Sequence, residues 1–183
     1  MTFADPAMQA SPELDGAWYI HPEYDFIQHI ARVVVTEAER LEIDPARILF
    51  YGSSLGAFGA IACAAHIPGA RAIADVPQID VENWEDRHVA LIEEYILGEK
   101  FSAFRQKYPE RLNLHSRLEF AGRIPQIRLT TNPLDSSYQD QLDFFQFAQE
   151  SNLPSGGVDL LITTRLKGHT FFDQDELIPS IVP

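Results

Sequence analysis

Ile48-Leu49-Phe50-Tyr51-Gly52-Ser53-Ser54-Leu55-Gly56-Ala57-Phe58-Gly59-Ala60 is the stretch that decides the fold. Ile48 to Tyr51 is a short apolar run of the kind carried by a strand buried on both faces. Gly52-Ser53-Ser54-Leu55-Gly56 follows as a Gly-x-Ser-x-Gly turn. Ala57 to His66 is rich in Ala and so predicts a helix that can pack closely. Strand, sharp turn and helix in that order let a strained serine project clear of the backbone at a strand's end. Ser54 is therefore the candidate nucleophile. The plainer alternative is a glycine-rich strand–helix turn with an idle serine.

Working outward, residues 1–16 are short, polar and turn-rich, apart from a strand end at Thr2-Phe3-Ala4 running into Asp5-Pro6. Residues 24–41 predict an amphipathic helix, with Phe26, Ile27, Ile30, Val33, Val34, Ala38 and Leu41 on one face. Residues 70–76 read as a second buried strand, 84–97 as a helix stopped by Gly98, and 127–131 as a third strand. A helix over 138–150, a turn at Ser155-Gly156-Gly157, a fourth strand over 158–165 and a final helix over 174–181 complete the pattern. Residues 99–124 are mixed and basic-aromatic, and predict short helices forming a cap or crossover insertion. Alternating strands and helices imply one α/β domain over 1–183 built on a parallel sheet with helices on both faces. Function in such sheets collects at the carboxyl ends of the strands.

A serine is a weak nucleophile until a base takes its proton, and the base needs an orienting acid. Asp135 follows the third strand in Thr131-Asn132-Pro133-Leu134-Asp135, and His169 follows the fourth in Leu166-Lys167-Gly168-His169. The plainer alternative for Asp135 is a turn or helix cap, since Asp is favoured there. Asp140 and Asp75 are substitutes for the acid. His29, His66, His88 and His115 fall in helical or mixed segments. His21 lies in a loop with Trp18 and Tyr19 that could line a pocket mouth. Ser53 neighbours the nucleophile but sits where a side chain faces the scaffold. Ser53, His21, Phe101 and Tyr108, with Phe104, are the candidates for substrate contact, and ordinary core packing is the alternative for the aromatics. No pair of histidines has helical i, i+4 spacing about a carboxylate, and no Lys-Ser/Thr follows the glycines, so neither a metal nor a cofactor is expected.

Composition narrows the partners. The chain has 27 acidic against 14 basic residues, a formal charge of −13, which argues against a phosphate-backbone partner. No nucleic acid and no membrane span are expected, and the absence of a signal-like segment predicts a cytoplasmic location. The one cysteine, Cys63, lies in an apolar run and reads as a buried, inert thiol.

With these residues in place, the chain resembles the α/β-hydrolase superfamily, and more narrowly bacterial hydrolase-like proteins linked to surface-polysaccharide genes. Phe3-Ala4-Asp5-Pro6, Gly16-Ala17-Trp18-Tyr19, Leu49 to Ala60 and Ala74-Asp75-Val76-Pro77-Gln78-Ile79-Asp80 carry the resemblance. It implies a three-layer α/β/α fold with a mostly parallel sheet. It also implies a serine hydrolase that cleaves an ester or related acyl bond through an acyl-enzyme, with a small molecule or an O-acylated carbohydrate as substrate. Ser54 would attack, His169 would move the proton, Asp135 would orient it, and the Leu55 N–H would hold the oxyanion. An acyltransferase, a peptidase or a non-catalytic binding or assembly module are the alternatives. In the superfamily about three strands precede a segment like Thr2–Pro6, and here they are absent. The resemblance thus implies a shortened sheet whose elbow strand is an open edge, with the second oxyanion donor missing. A fragment, a minimal domain with a homodimer sealing the edge, or a scaffold kept for binding would each account for this.

Overall fold

The computed structural model describes residues 1–164 and 168–170. Strands β1 (Leu49–Ser53), β2 (Arg71–Asp75), β3 (Gln126–Thr131) and β4 (Val158–Ile162) form one parallel sheet in the order β1-β2-β3-β4. The chain is α/β, as the alternation predicts. Ser53 pairs in register with Asp75, Asp75 with Thr130, and Thr130 with Leu161. That row aligns the carboxyl ends of all four strands. Whatever follows each strand therefore emerges along one rim.

Among the described residues six α-helices accompany the strands: α1 (Phe26–Arg40), α2 (Leu55–Ala65), α3 (Asp86–Ile92), α4 (Phe101–Lys107), α5 (Leu114–Ala121) and α6 (Tyr138–Glu150). Asp25 caps α1 by accepting the Gln28 amide at 3.0 Å, and Asn113 caps α5 by accepting that of Ser116 at 3.2 Å. Small side chains let α2 lie closely on β1 and β2, and Ala57 to Ala65 are all buried. α1 and α5 pack against α2, and α6 against β4.

The crossover from β2 to β3 carries a helix ended by Gly98 and then short helices, as the sequence predicts. The helix predicted over 84–97 forms from Asp86 and runs without interruption to Leu97. A 3-10 turn at Val81–Asn83 leads into extended Trp84, then α3, then a π-helical turn at Glu93–Leu97 ended by left-handed Gly98 (φ 64°). Asp80 anchors the turn before Trp84: it caps the 3-10 turn through the Glu82 amide while binding Arg105 at 2.6 Å and Asn113 at 2.7 Å. Residues 99–124 lie in this same crossover, and Phe104, Leu112, Leu114 and Leu118 are fully buried in the core.

Thr2 to Ala4 joins no strand; Asp5 instead caps a 3-10 turn at Pro6–Ala10. β4 ends at Ile162, short of the predicted 165, and residues 165–167 and the final helix over 174–181 lie outside the described residues. Among the described residues β1 pairs on one side only, with β2, and Leu49 is 37% exposed. A groove of about 400 Å³ runs along that edge, lined by Phe3, Tyr19, Val34, Phe50, Gly56 and Cys63 among others. Cys63 itself is buried, and burial pushes its thiol up to about 12. Among the described residues no helix is long and apolar enough to cross a membrane.

Candidate active site

The turn after β1 is strained where the sequence places its serine. Ser54 has φ 55° and ψ −121°, outside the regions a side-chain-bearing residue prefers. Its amide donates to the Asp75 carbonyl at 2.9 Å, which pins the turn to the neighbouring strand end. Val76, one residue beyond β2, also has positive φ (43°), rarer still for a β-branched residue. Two strained residues thus leave adjacent strands at matched register. The turn also needs Gly52: a Cβ there would stand 2.0 Å from the Gly56 carbonyl oxygen, against backbone that cannot yield. Gly56 differs, because a Cβ built on it meets nothing within 4 Å.

Three side chains from three strand ends meet at this rim. Ser54 Oγ lies 2.8 Å from His169 Nε2, and His169 Nδ1 lies 2.7 Å from Asp135 Oδ2. Asp135 is 5% exposed, and its other oxygen accepts the Ser137 amide at 2.8 Å. The turn role and the histidine-orienting position are therefore held by one carboxylate. The sequence had offered them as alternatives; the two oxygens divide them. With Nδ1 donating to the carboxylate, Nε2 is the acceptor that faces the serine hydroxyl.

Two residues that sequence reasoning passed over hold the histidine loop. Asn132 Nδ2 donates to the Gly168 carbonyl at 2.8 Å, and its Oδ1 accepts the Leu134 amide at 3.2 Å. Gly168 permits this close approach, since a Cβ there would be 2.8 Å from the Leu134 oxygen. An amide side chain directly after a strand, in Thr-Thr-Asn-Pro, was the available signal.

The substitutes for the acid are engaged elsewhere. Asp140 accepts from Asn83 Nδ2 at 2.9 Å, and buried Asp75 accepts from the Thr130 hydroxyl. Of the expected substrate contacts, Ser53 lies beside the nucleophile with its Oγ 3.1 Å from the Tyr51 hydroxyl. His21 is a turn residue: its Nδ1 accepts the Glu23 and Tyr24 amides, both at 3.1 Å. Tyr108 lies under the Arg111 guanidinium at 4.1 Å, and Arg111 donates to the His21 carbonyl at 2.8 Å. His21 and Tyr108 therefore belong to one cluster that ties the crossover to the N-terminal loop. Phe101 is 2% exposed and Phe104 fully buried, so core packing uses the surface a pocket would need. Among the described residues no cluster of His, Cys, Asp and Glu could hold a metal ion.

The Leu55 N–H opens α2 beside Ser54 and has no acceptor within its own helix. The arrangement can move a proton from a hydroxyl to an imidazole oriented by a buried carboxylate. It can also meet a developing negative charge with a backbone donor.

No protein-family model matches the chain, and no curated protein matches it. Solved structures do. The chain is similar to the Glycosylation Associate Protein (Gap123) complex from Streptococcus agalactiae, with TM-score 0.62 and 16% identity over 90% of its length. It is similar to the capsule O-acetyltransferase of Neisseria meningitidis serogroup A, with TM-score 0.61 and 18% identity over 85%. An S-formylglutathione hydrolase from Agrobacterium tumefaciens matches with TM-score 0.58 and 17% identity over 85%. The chain spans 32%, 62% and 57% of these three proteins, respectively. At such identities the likeness establishes the fold, which is of the α/β-hydrolase type.

Proposed function

We propose that the protein is a serine hydrolase cleaving an ester or related acyl bond. The observation that carries this is the serial hydrogen bonding of Ser54, His169 and Asp135, 2.8 and 2.7 Å, at the end of a strained strand–helix turn. In this reading the Ser54 oxygen attacks the acyl carbon as its proton passes to His169 Nε2. Asp135 keeps the ring in the tautomer that can accept, and stabilises the imidazolium that forms. The Leu55 N–H donates to the oxyanion. Collapse expels the alcohol, which takes the proton back from His169 and leaves Ser54 acylated. Water, deprotonated by the same ring, then releases the acid and restores the serine.

For the substrate we propose an O-acyl group on a carbohydrate or similar polyol. Supporting this are the fold neighbours: one named for glycosylation and one a capsule O-acetyltransferase, beside an S-formylglutathione hydrolase. The acetyltransferase neighbour also favours a second reading, in which a sugar hydroxyl replaces water as acyl acceptor. The chemistry up to the acyl-enzyme is the same.

A fluorophosphonate probe tests the core of the proposal. Wild-type protein is expected to be labelled on Ser54, and Ser54→Ala, folded by circular dichroism, to remain unlabelled. Wild-type protein that is folded and unlabelled would falsify the reading. Release of acid from acetylated sugars, compared with transfer to added free sugar, separates hydrolysis from transfer.

A further inference from the structure

The crossover delivers one aromatic side chain to the base. Half-buried Trp84 has its ring centroid 5.0 Å from that of His169, with the planes inclined at 56°. A cation within about 6 Å of an indole centroid is attracted by the ring's electron-rich face.

The turn that carries Trp84 is anchored from two sides. Asp80, just before it, binds Arg105 through both oxygens at 3.0 and 2.6 Å and also accepts from Asn113 at 2.7 Å. Those partners lie on α4 and at the cap of α5. Asn83, just before Trp84, donates to Asp140 on α6 at 2.9 Å, the helix that begins three residues after Asp135. The Trp84 amide closes the turn on the Val81 carbonyl at 3.2 Å. Charged hydrogen bonds to two helices thus hold the backbone that carries the indole beside the histidine.

We propose that Trp84 is a positioning residue for the base, packing its indole on His169 and stabilising that ring while it carries the serine's proton. The inference rests on His169 acting as the base. The groups around the pair are Ser54 and Asp135 on the imidazole. On the indole side stands His88, 6.4 Å from Trp84, itself 3.6 Å from both Asp15 and Glu85.

The test reads His169 directly, so it needs no turnover. Imidazole proton resonances are followed against pH in wild type, Trp84→Phe and Trp84→Leu, with the His169 signal assigned by its loss in His169→Gln. Leucine keeps apolar bulk without an aromatic face, and phenylalanine keeps a weaker one. The titration midpoint of His169 is expected to fall in the order Trp, Phe, Leu, by roughly half a pH unit for leucine. The acid limb of phosphonate labelling should move by the same amount. An unmoved or rising midpoint in both variants overturns the inference. So does a shift that vanishes in a His88→Gln background, because the effect would then run through His88. Ordered shifts in a protein that phosphonate never labels would leave the Trp84 contact standing and remove the serine-hydrolase reading. Labelling with unmoved midpoints would do the reverse.

Discussion

The two ends of α2 each carry a histidine and an aspartate, arranged differently. At the amino end His169 lies between Ser54 and Asp135 and bonds directly to both. At the carboxyl end the cap residue His66 does not reach its aspartate; Arg117 stands between them. Arg117 is 1% exposed and donates from one Nη1 to Asp25 Oδ2 at 2.7 Å and to His66 Nε2 at 3.3 Å. A carboxylate beside a histidine helps the ring hold a proton, whereas a guanidinium beside it opposes one. The first arrangement suits proton transfer. The second locks a neutral ring into a structural joint between α1, α2 and α5.

The largest expected effect breaks the amino end. Replacing His169 by Gln should cut ester turnover by about 10⁶-fold, since Ser54 then has no base. Next, the same chemical change can be made at both ends. Asp135→Asn should lower turnover by roughly 10⁴-fold, by favouring the tautomer whose Nε2 cannot accept. Asp25→Asn should leave turnover within about twofold of wild type, yet cost about 3 kcal/mol in urea unfolding. It strands the buried Arg117 cation while keeping an acceptable cap on α1. If Asp25→Asn lowered turnover as much as Asp135→Asn does, the distinction between the two ends would collapse.

The contrast also explains what could be read in advance. Ser54, Asp135 and His169 were legible because topology places the residue after each parallel strand on one rim, and short local patterns mark where strands end. The carboxyl-end joint was not, because Asp25 and Arg117 are 92 residues apart and neither sits in a local motif. Trp84 escaped because the helix predicted from that position begins two residues later, at Asp86, and leaves Trp84 extended before it. Phe101 and Tyr108 show a further limit. An aromatic residue has the same composition signal whether it fills a core or lines a pocket, and only burial separates the two.

A smaller test distinguishes the two glycines of the elbow. Gly52→Ala forces a Cβ onto the Gly56 carbonyl and the Ala57 nitrogen, and should cost about 3 kcal/mol and displace Ser54. Gly56→Ala meets open space within the first turn of α2, and should be neutral or stabilising by up to about 1 kcal/mol. Thermal unfolding of both, with phosphonate labelling as the local readout, checks the pair. Equal losses would mean that the groove beside Gly56 is filled in solution.

The smallest effect concerns the carboxyl end alone and appears as pH dependence. Burial, reinforced by the Arg117 charge, lowers His66 from 6.5 to about 4. Between those values the unfolded chain takes up a proton that the folded chain refuses, so stability falls as pH drops from 6.5 towards 4 and the loss then levels off. His115, lowered chiefly by burial, acts in the same direction. Asp25 acts later. Burial pushes its carboxyl up, but the Arg117 charge and hydrogen bond hold it below the usual carboxylate range, so its contribution fades only at more acid pH. His66→Asn removes the first term and leaves the others. Its melting temperature should therefore drop less than that of wild type between pH 7 and 4.5. A partly exposed ring is screened by solvent, so the difference should be on the order of 3 °C. Parallel pH curves for the two proteins would show that burial and Arg117 together do not hold His66 neutral, and that the two ends of α2 differ less than their geometry implies.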